Sequence, residues 1–185
     1  MDQMISRRDL GIVAVSILAT ASVGFGETAA ASATMGADTG GDWLATIKAQ
    51  HAELDRLLAA VKGAGSREAR IAAFKKFSIY LSAHSMAEET TVYPALAITG
   101  SEADSKQLYG EQDAAKVLVA RIDNALSSGA GADVPAMLET LGNALHAHVA
   151  EEENQFFPPL KAREDATMNA KLSSEFNQAF RRASA

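Results

Sequence analysis

The chain has 185 residues, enough for one domain and an extra segment, with a formal net charge of -6 and no cysteine. The mild acidity and the lack of a basic stripe argue against a nucleic-acid partner, whose phosphates need clustered Lys and Arg. Without cysteine there are no disulfides, thiolate metal sites, iron–sulfur clusters or thiol redox chemistry, so any bound metal is held by nitrogen and oxygen.

Residues 1–33 read as a signal peptide. Arg7 and Arg8 precede the apolar run Gly11–Phe25, and small-x-small cleavage sites follow at Ala29–Ala31 and Ala31–Ala33. The run is shorter than the roughly 20 residues of a spanning helix, so removal is expected rather than permanent anchoring. The paired arginines resemble the twin-arginine export motif, with Asp9 and Gly11 as departures. That resemblance implies export in the folded state and a periplasmic location. Residues 34–41 read as a flexible lead-in.

From residue 42 the pattern is helical. Asp42 is placed to cap a first helix with the stripe Leu44, Ile47, His51, Leu54, Leu58 and Val61, which ends at Gly63. Ser66 starts a second, with the stripe Ile71, Phe74, Phe77, Leu81, His84, Glu88, Thr91 and Leu96. Pro94 is expected to kink or end it. After the loop Thr99–Ser101, a third helix carries Leu108, Gln112, Ala115, Val119, Ile122 and Leu126. The breaker 127–133 precedes a fourth, capped by Asp133, with the stripe Val134, Leu138, Leu141, Leu145, His148, Glu152 and Phe156. Beyond Pro158-Pro159, Met168, Leu172, Phe176 and Phe180 at steps of four predict a shorter fifth helix over one end of the domain. Helices of this length with short connections pack as antiparallel neighbours, so the fold predicted is all-α: an up-down-up-down four-helix bundle over 42–160 with a helical extension at 161–185.

One repeat carries the chemistry. His84-x-x-x-Glu88-Glu89, followed by Tyr93-Pro94 and Leu96, recurs as His148-x-x-x-Glu152-Glu153, followed by Phe157-Pro158 and Leu160. Residues four apart share a helix face, so each copy aims one imidazole and one carboxylate at the same place. Two copies facing each other across a bundle surround a point suited to one or two iron or manganese ions. His51 and Gln112 also lie on buried stripes, and burying an unpaired imidazole or carboxylate costs several kcal/mol, which favours metal binding over simple core packing. Glu89 and Glu153 fall one step off the stripe, as solvated residues or supports for the ligands. His146 is assigned to the surface, and Tyr93, Phe157 and Trp43 to packing at the bundle ends, with screening of the site as the alternative for Tyr93 and Phe157.

These residues resemble the hemerythrin-like HHE cation-binding domains: His51 on the first helix, His84 with Glu88 on the second, His148 with Glu152 on the fourth, and the aromatic-proline tails after both pairs. The resemblance spans about residues 42–160. It implies a four-helix bundle with a non-haem di-iron centre, with His51 and His84 on one metal, His148 on the other, and Glu88 and Glu152 bridging both. One position departs: Gln112 stands where the family has a third-helix histidine. A carboxamide is a weaker ligand than imidazole, so the second metal either binds weakly or keeps positions open to a small ligand. Lys116 stands where oxygen carriers place a further histidine, which disfavours reversible oxygen transport.

The expected metal ligands are therefore His51, His84, Glu88, Gln112, His148 and Glu152, with iron as the cofactor and manganese or zinc as alternatives that accept the same donors. The function predicted is an exported iron protein that binds or senses iron, oxygen or nitric oxide, with no catalytic residue assigned. The alternative is a di-metal oxidoreductase acting on peroxide or a small substrate.

Overall fold

Four of the helices begin where a short polar side chain answers a free backbone N–H. In the computed structural model, which describes residues 41–129 and 133–185, Asp42 accepts from Ala45 N at 3.1 Å and opens α1, Trp43–Lys62. Ser66 accepts from Ala69 N at 3.1 Å and opens α2, Arg67–Ala87. Ser101 likewise opens α4, Glu102–Ser128, and Asp165 opens α7, Ala166–Ala183. Each such cap is worth about 1 kcal/mol. Asp133 does precede α5, Val134–Glu151, but its side chain makes no capping bond. A proline in the first turn supplies the fixed φ there instead. The expected signal peptide, and all of the expected lead-in except Gly41, lie outside the described residues.

Of the two outcomes expected at Pro94, the end of the second helix does not occur. After α2 the chain passes through a π-helical segment, Glu88–Val92, and continues as α3, Tyr93–Thr99. The fourth helix does the same: π-helical Glu152–Phe156, then α6, Phe157–Arg163. A proline lacks the N–H that an α-helix needs, and its ring collides with the carbonyl four residues back. The wider i→i+5 turn relieves that conflict, with Tyr93 N–H bonding to Glu88 O and Phe157 N–H to Glu152 O. Both π segments begin at the motif glutamate.

These elements form four rods. α1 packs on α2 and α5, and α4 packs on α5 and on α2 with its continuation α3, which closes the ring of an up-down-up-down bundle. No strand occurs among the described residues. The predicted stripes supply the core, from Ile47, Leu54 and Leu58 through Phe74, Phe77, Leu108 and Ile122 to Leu138 and Leu141. Trp43 does pack at a bundle end, edge-on to Phe157 at 5.5 Å, with its indole N–H donating to Glu164 at 2.6 Å.

α7 is placed differently from the end cap expected. It runs along the side of α2, touching α1 and the first π segment as well. Phe180 meets Tyr80 at 5.2 Å, and Phe176 meets His84 at 6.4 Å. Both pairs step by four residues in opposite directions, so the two helices are antiparallel with matched apolar stripes. The helix therefore walls one flank of His84.

Candidate metal centre

The four rods bring together all six residues expected as metal ligands. His51, His84, Glu88, Gln112, His148 and Glu152 are all buried, each at 7 % exposure or less. Their polar ends converge at mid-bundle. His84 Nε2 lies 3.3 Å from Glu88 Oε2, and His148 Nε2 lies 3.3 Å from Glu152 Oε1, the two i,i+4 pairs of the repeat. His51 Nε2 crosses from α1 to within 3.2 Å of Glu152 Oε2 and 3.8 Å of Glu88 Oε1. Two groups result that can each hold a metal ion: His51, His84 and Glu88, and then Glu88, His148 and Glu152. Glu88 is common to both, and Glu152 faces His148 with one oxygen and His51 with the other.

Each imidazole is fixed from behind. His51 Nδ1 meets Glu153 Oε1 at 2.8 Å, His84 Nδ1 meets Gln50 Oε1 at 2.9 Å, and His148 Nδ1 meets Glu111 Oε2 at 2.8 Å. In a neutral ring an acceptor on Nδ1 keeps the one proton there and leaves Nε2 with its lone pair toward the centre, the arrangement that metal-binding histidines need. Gln50 and Glu111 were given no role by the motif. Their signal is positional: each directly precedes a stripe residue, His51 or Gln112, at the same place in the two helix hairpins. Glu153 takes the supporting place expected for it, whereas Glu89 turns to an ion pair with Lys116 and away from the imidazoles. His146 is exposed, paired with Asp55 at 3.1 Å.

Tyr93 is the one residue at the centre that the periodicity did not place there. Its hydroxyl donates to Glu152 Oε1 at 2.6 Å, lies 3.3 Å from both Glu88 Oε2 and His148 Nε2, and accepts from Gln112 Nε2 at 2.6 Å. In an α-helix, a residue five positions on points about 140° away from Glu88. The π segment removes that offset and brings Tyr93 over the same face. Gln112 meets these groups with nitrogen: Nε2 donates to Glu88 Oε2 at 2.7 Å as well as to Tyr93. An ionised carboxylate only accepts, and the amide turns its nitrogen to it accordingly.

The electrostatics show the tension of so much buried charge. Burial opposes protonation of His51, but the Glu152 and Glu88 carboxylates outweigh it and push the imidazole up to about 10. His84, fully buried and repelled by the two neighbouring imidazoles, is held well below its usual range. Burial and the Glu152 charge push Glu88 up to about 7. Burial, reinforced by both carboxylates, drives the Tyr93 phenol well above its ordinary value.

The donor set fits a cation. His51 Nε2, Glu88 Oε1, Glu152 Oε2 and Gln112 Oε1 are all buried without a hydrogen-bond partner. Leaving such atoms unanswered costs about 1–3 kcal/mol each, more for charged ones. A cation shared by the two carboxylates and the imidazole answers three of the four at once, and nitrogen with carboxylate oxygen is the donor mixture that suits iron, manganese or zinc.

Neither curated proteins nor solved structures provide a match to the chain. A family model does: the Hemerythrin HHE cation binding domain matches residues 43–160, from the first residue of α1 into α6. That span holds every donor described above and more than half of the chain. The chain belongs to the hemerythrin HHE cation-binding domain family.

Proposed function

We propose that the protein is an exported non-haem iron protein whose bundle holds a di-iron centre that binds or senses iron, oxygen or nitric oxide. Family membership supplies metal binding. The observation that carries the di-iron reading is the pair of three-residue groups sharing Glu88, with the unanswered nitrogen and oxygen atoms directed into the space between them. In this reading His51 and His84 would hold one iron and His148 the other, with Glu88 and Glu152 available to both. When bound, the metals supply Lewis acidity and a site for a small electron-rich ligand. The protein keeps the three imidazoles in their metal-binding tautomer, screens the carboxylates from water, and supplies a donor, Gln112 Nε2, to Glu88. Export rests on the leader sequence at residues 1–33.

Metal analysis of the purified protein tests this. We expect wild type to carry iron, and the double variant His84→Ala, His148→Ala to lose it while keeping its helical content. Full metal content in the double variant contradicts the proposal.

One observation favours a second reading, a di-metal oxidoreductase. A cavity of about 230 Å³ adjoins the centre, reached by His51, His84 and His148 and walled by Leu54, Leu81 and Leu145. Such a space admits a molecule larger than a diatomic gas. Rapid turnover of peroxide by the iron-loaded protein selects this reading, and slow or absent turnover retains the first.

A further inference from the structure

We propose that Tyr93 is itself a ligand of the second metal, its phenolic oxygen standing where Gln112 leaves the centre without an imidazole. The inference rests on the metal-centre reading above and adds a type of donor that the H-x-x-x-E repeat does not contain. Donors bound about 2.0–2.2 Å from one metal and at right angles to each other are about 3 Å apart. Tyr93 Oη lies 2.6 Å from Glu152 Oε1 and 3.3 Å from both Glu88 Oε2 and His148 Nε2. His148 Nε2 and Glu152 Oε1 are themselves 3.3 Å apart. The phenolic oxygen thus stands at ligand-to-ligand spacing from the nitrogen and the two carboxylate oxygens.

Packing alone does not account for the hydroxyl. In the second copy of the repeat the equivalent residue is Phe157, fully buried against Trp43. The fold therefore accepts the bare ring at this position, and the oxygen is added only in the copy whose phenol reaches His148 and Gln112. Simple hydrogen bonding leaves a remainder too. A phenol has one hydrogen to donate and Glu152 is its nearest acceptor at 2.6 Å, yet the phenolic oxygen also lies within 3.3 Å of Glu88 Oε2 and His148 Nε2. Gln112 completes the arrangement by donating an N–H to the phenolic oxygen at 2.6 Å, which holds that oxygen toward His148 and Glu152. In this account Gln112 is a positioning residue, holding Tyr93 and Glu88 rather than the ion.

The chemistry balances without a redox partner. The phenolic O–H bond breaks, an oxygen–metal bond forms, and the proton leaves to solvent. A hard anionic oxygen favours the ferric ion over softer or less charged metals.

The test uses the full chain loaded with ferric iron, read by visible absorption and resonance Raman. Wild type is expected to show a phenolate-to-iron charge-transfer band with tyrosinate ring modes. Tyr93→Phe should keep its helical content, lose the band, and hold its second ferric ion with roughly tenfold or greater loss of affinity. Tyr80→Phe and Tyr109→Phe should keep the band. Iron bound without tyrosinate modes in wild type, or a band that survives in Tyr93→Phe, overturns this inference and leaves the metal-centre reading intact. A protein that takes up no iron overturns both.

Discussion

Glu153, Gln50 and Glu111 do for the three imidazoles what no ligand can do for itself: each fixes a ring and a tautomer from the side away from the centre. The supports differ in charge. His51 and His148 lean on carboxylates, which raise the basicity of Nε2, whereas His84 leans on a neutral amide. Removing a support of this kind costs about 10–100-fold in metal affinity. Glu153→Ala should therefore weaken iron binding within that range, with the fold unchanged by circular dichroism. An affinity equal to wild type would show that His51 needs no support. Of the three residues only Glu153 belongs to the repeat; Gln50 and Glu111 lie on the helices before it. Gln50 and Glu111 could not be recognised from spacing, because a residue one step off a buried stripe is ordinarily solvated.

At the scale of elements, the two π segments decide what the centre contains. Helical periodicity made His51, His84, Glu88, Gln112, His148 and Glu152 legible as one buried set, because His84, Glu88, His148 and Glu152 precede or open a π segment, His51 and Gln112 lie in unbroken α-helices, and all six keep the α-helical phase. Beyond Glu88 the phase shifts, and Tyr93 moves from an end-packing position to the centre. The prolines were the available sign of that shift, although a proline late in a helix more often means a break than a wider turn. α7 was legible as a helix from its stripe, whereas its placement along α2 depended on the match of Phe176 and Phe180 to His84 and Tyr80. A fully buried Phe to Ala change costs about 3–5 kcal/mol. Phe176→Ala should lower stability to denaturant by an amount in that range and, by opening the flank of His84, also reduce iron retention. A stability loss below about 1 kcal/mol would mean that α7 does not wall the centre.

For the whole molecule, the metal replaces protons that the metal-free bundle must otherwise keep. The carboxylates raise His51 from 6.5 to about 10, so the folded metal-free protein holds a proton that the unfolded chain releases. That contribution is fully present below pH 6.5 and is lost as the pH rises through about 10. Glu88, raised from 4.5 to about 7, acts in the same direction over a lower window. Thermal stability of the metal-free protein should accordingly fall between neutral pH and pH 10, and iron should flatten the fall by taking the proton's place at His51. Loading near pH 7 should also release protons, detectable with an indicator dye in weak buffer. No proton release on loading would separate His51 from the metal.

The claim on which the rest depends is that a metal sits between the two halves of the repeat. Anomalous diffraction at the iron edge, from crystals of the iron-loaded protein, tests it most directly. The account predicts two iron peaks at mid-bundle, both bonded to Glu88 and Glu152, with His51 and His84 on one and His148 with Tyr93 on the other. Iron confined to surface carboxylates, with the buried cluster left to protons, would contradict it.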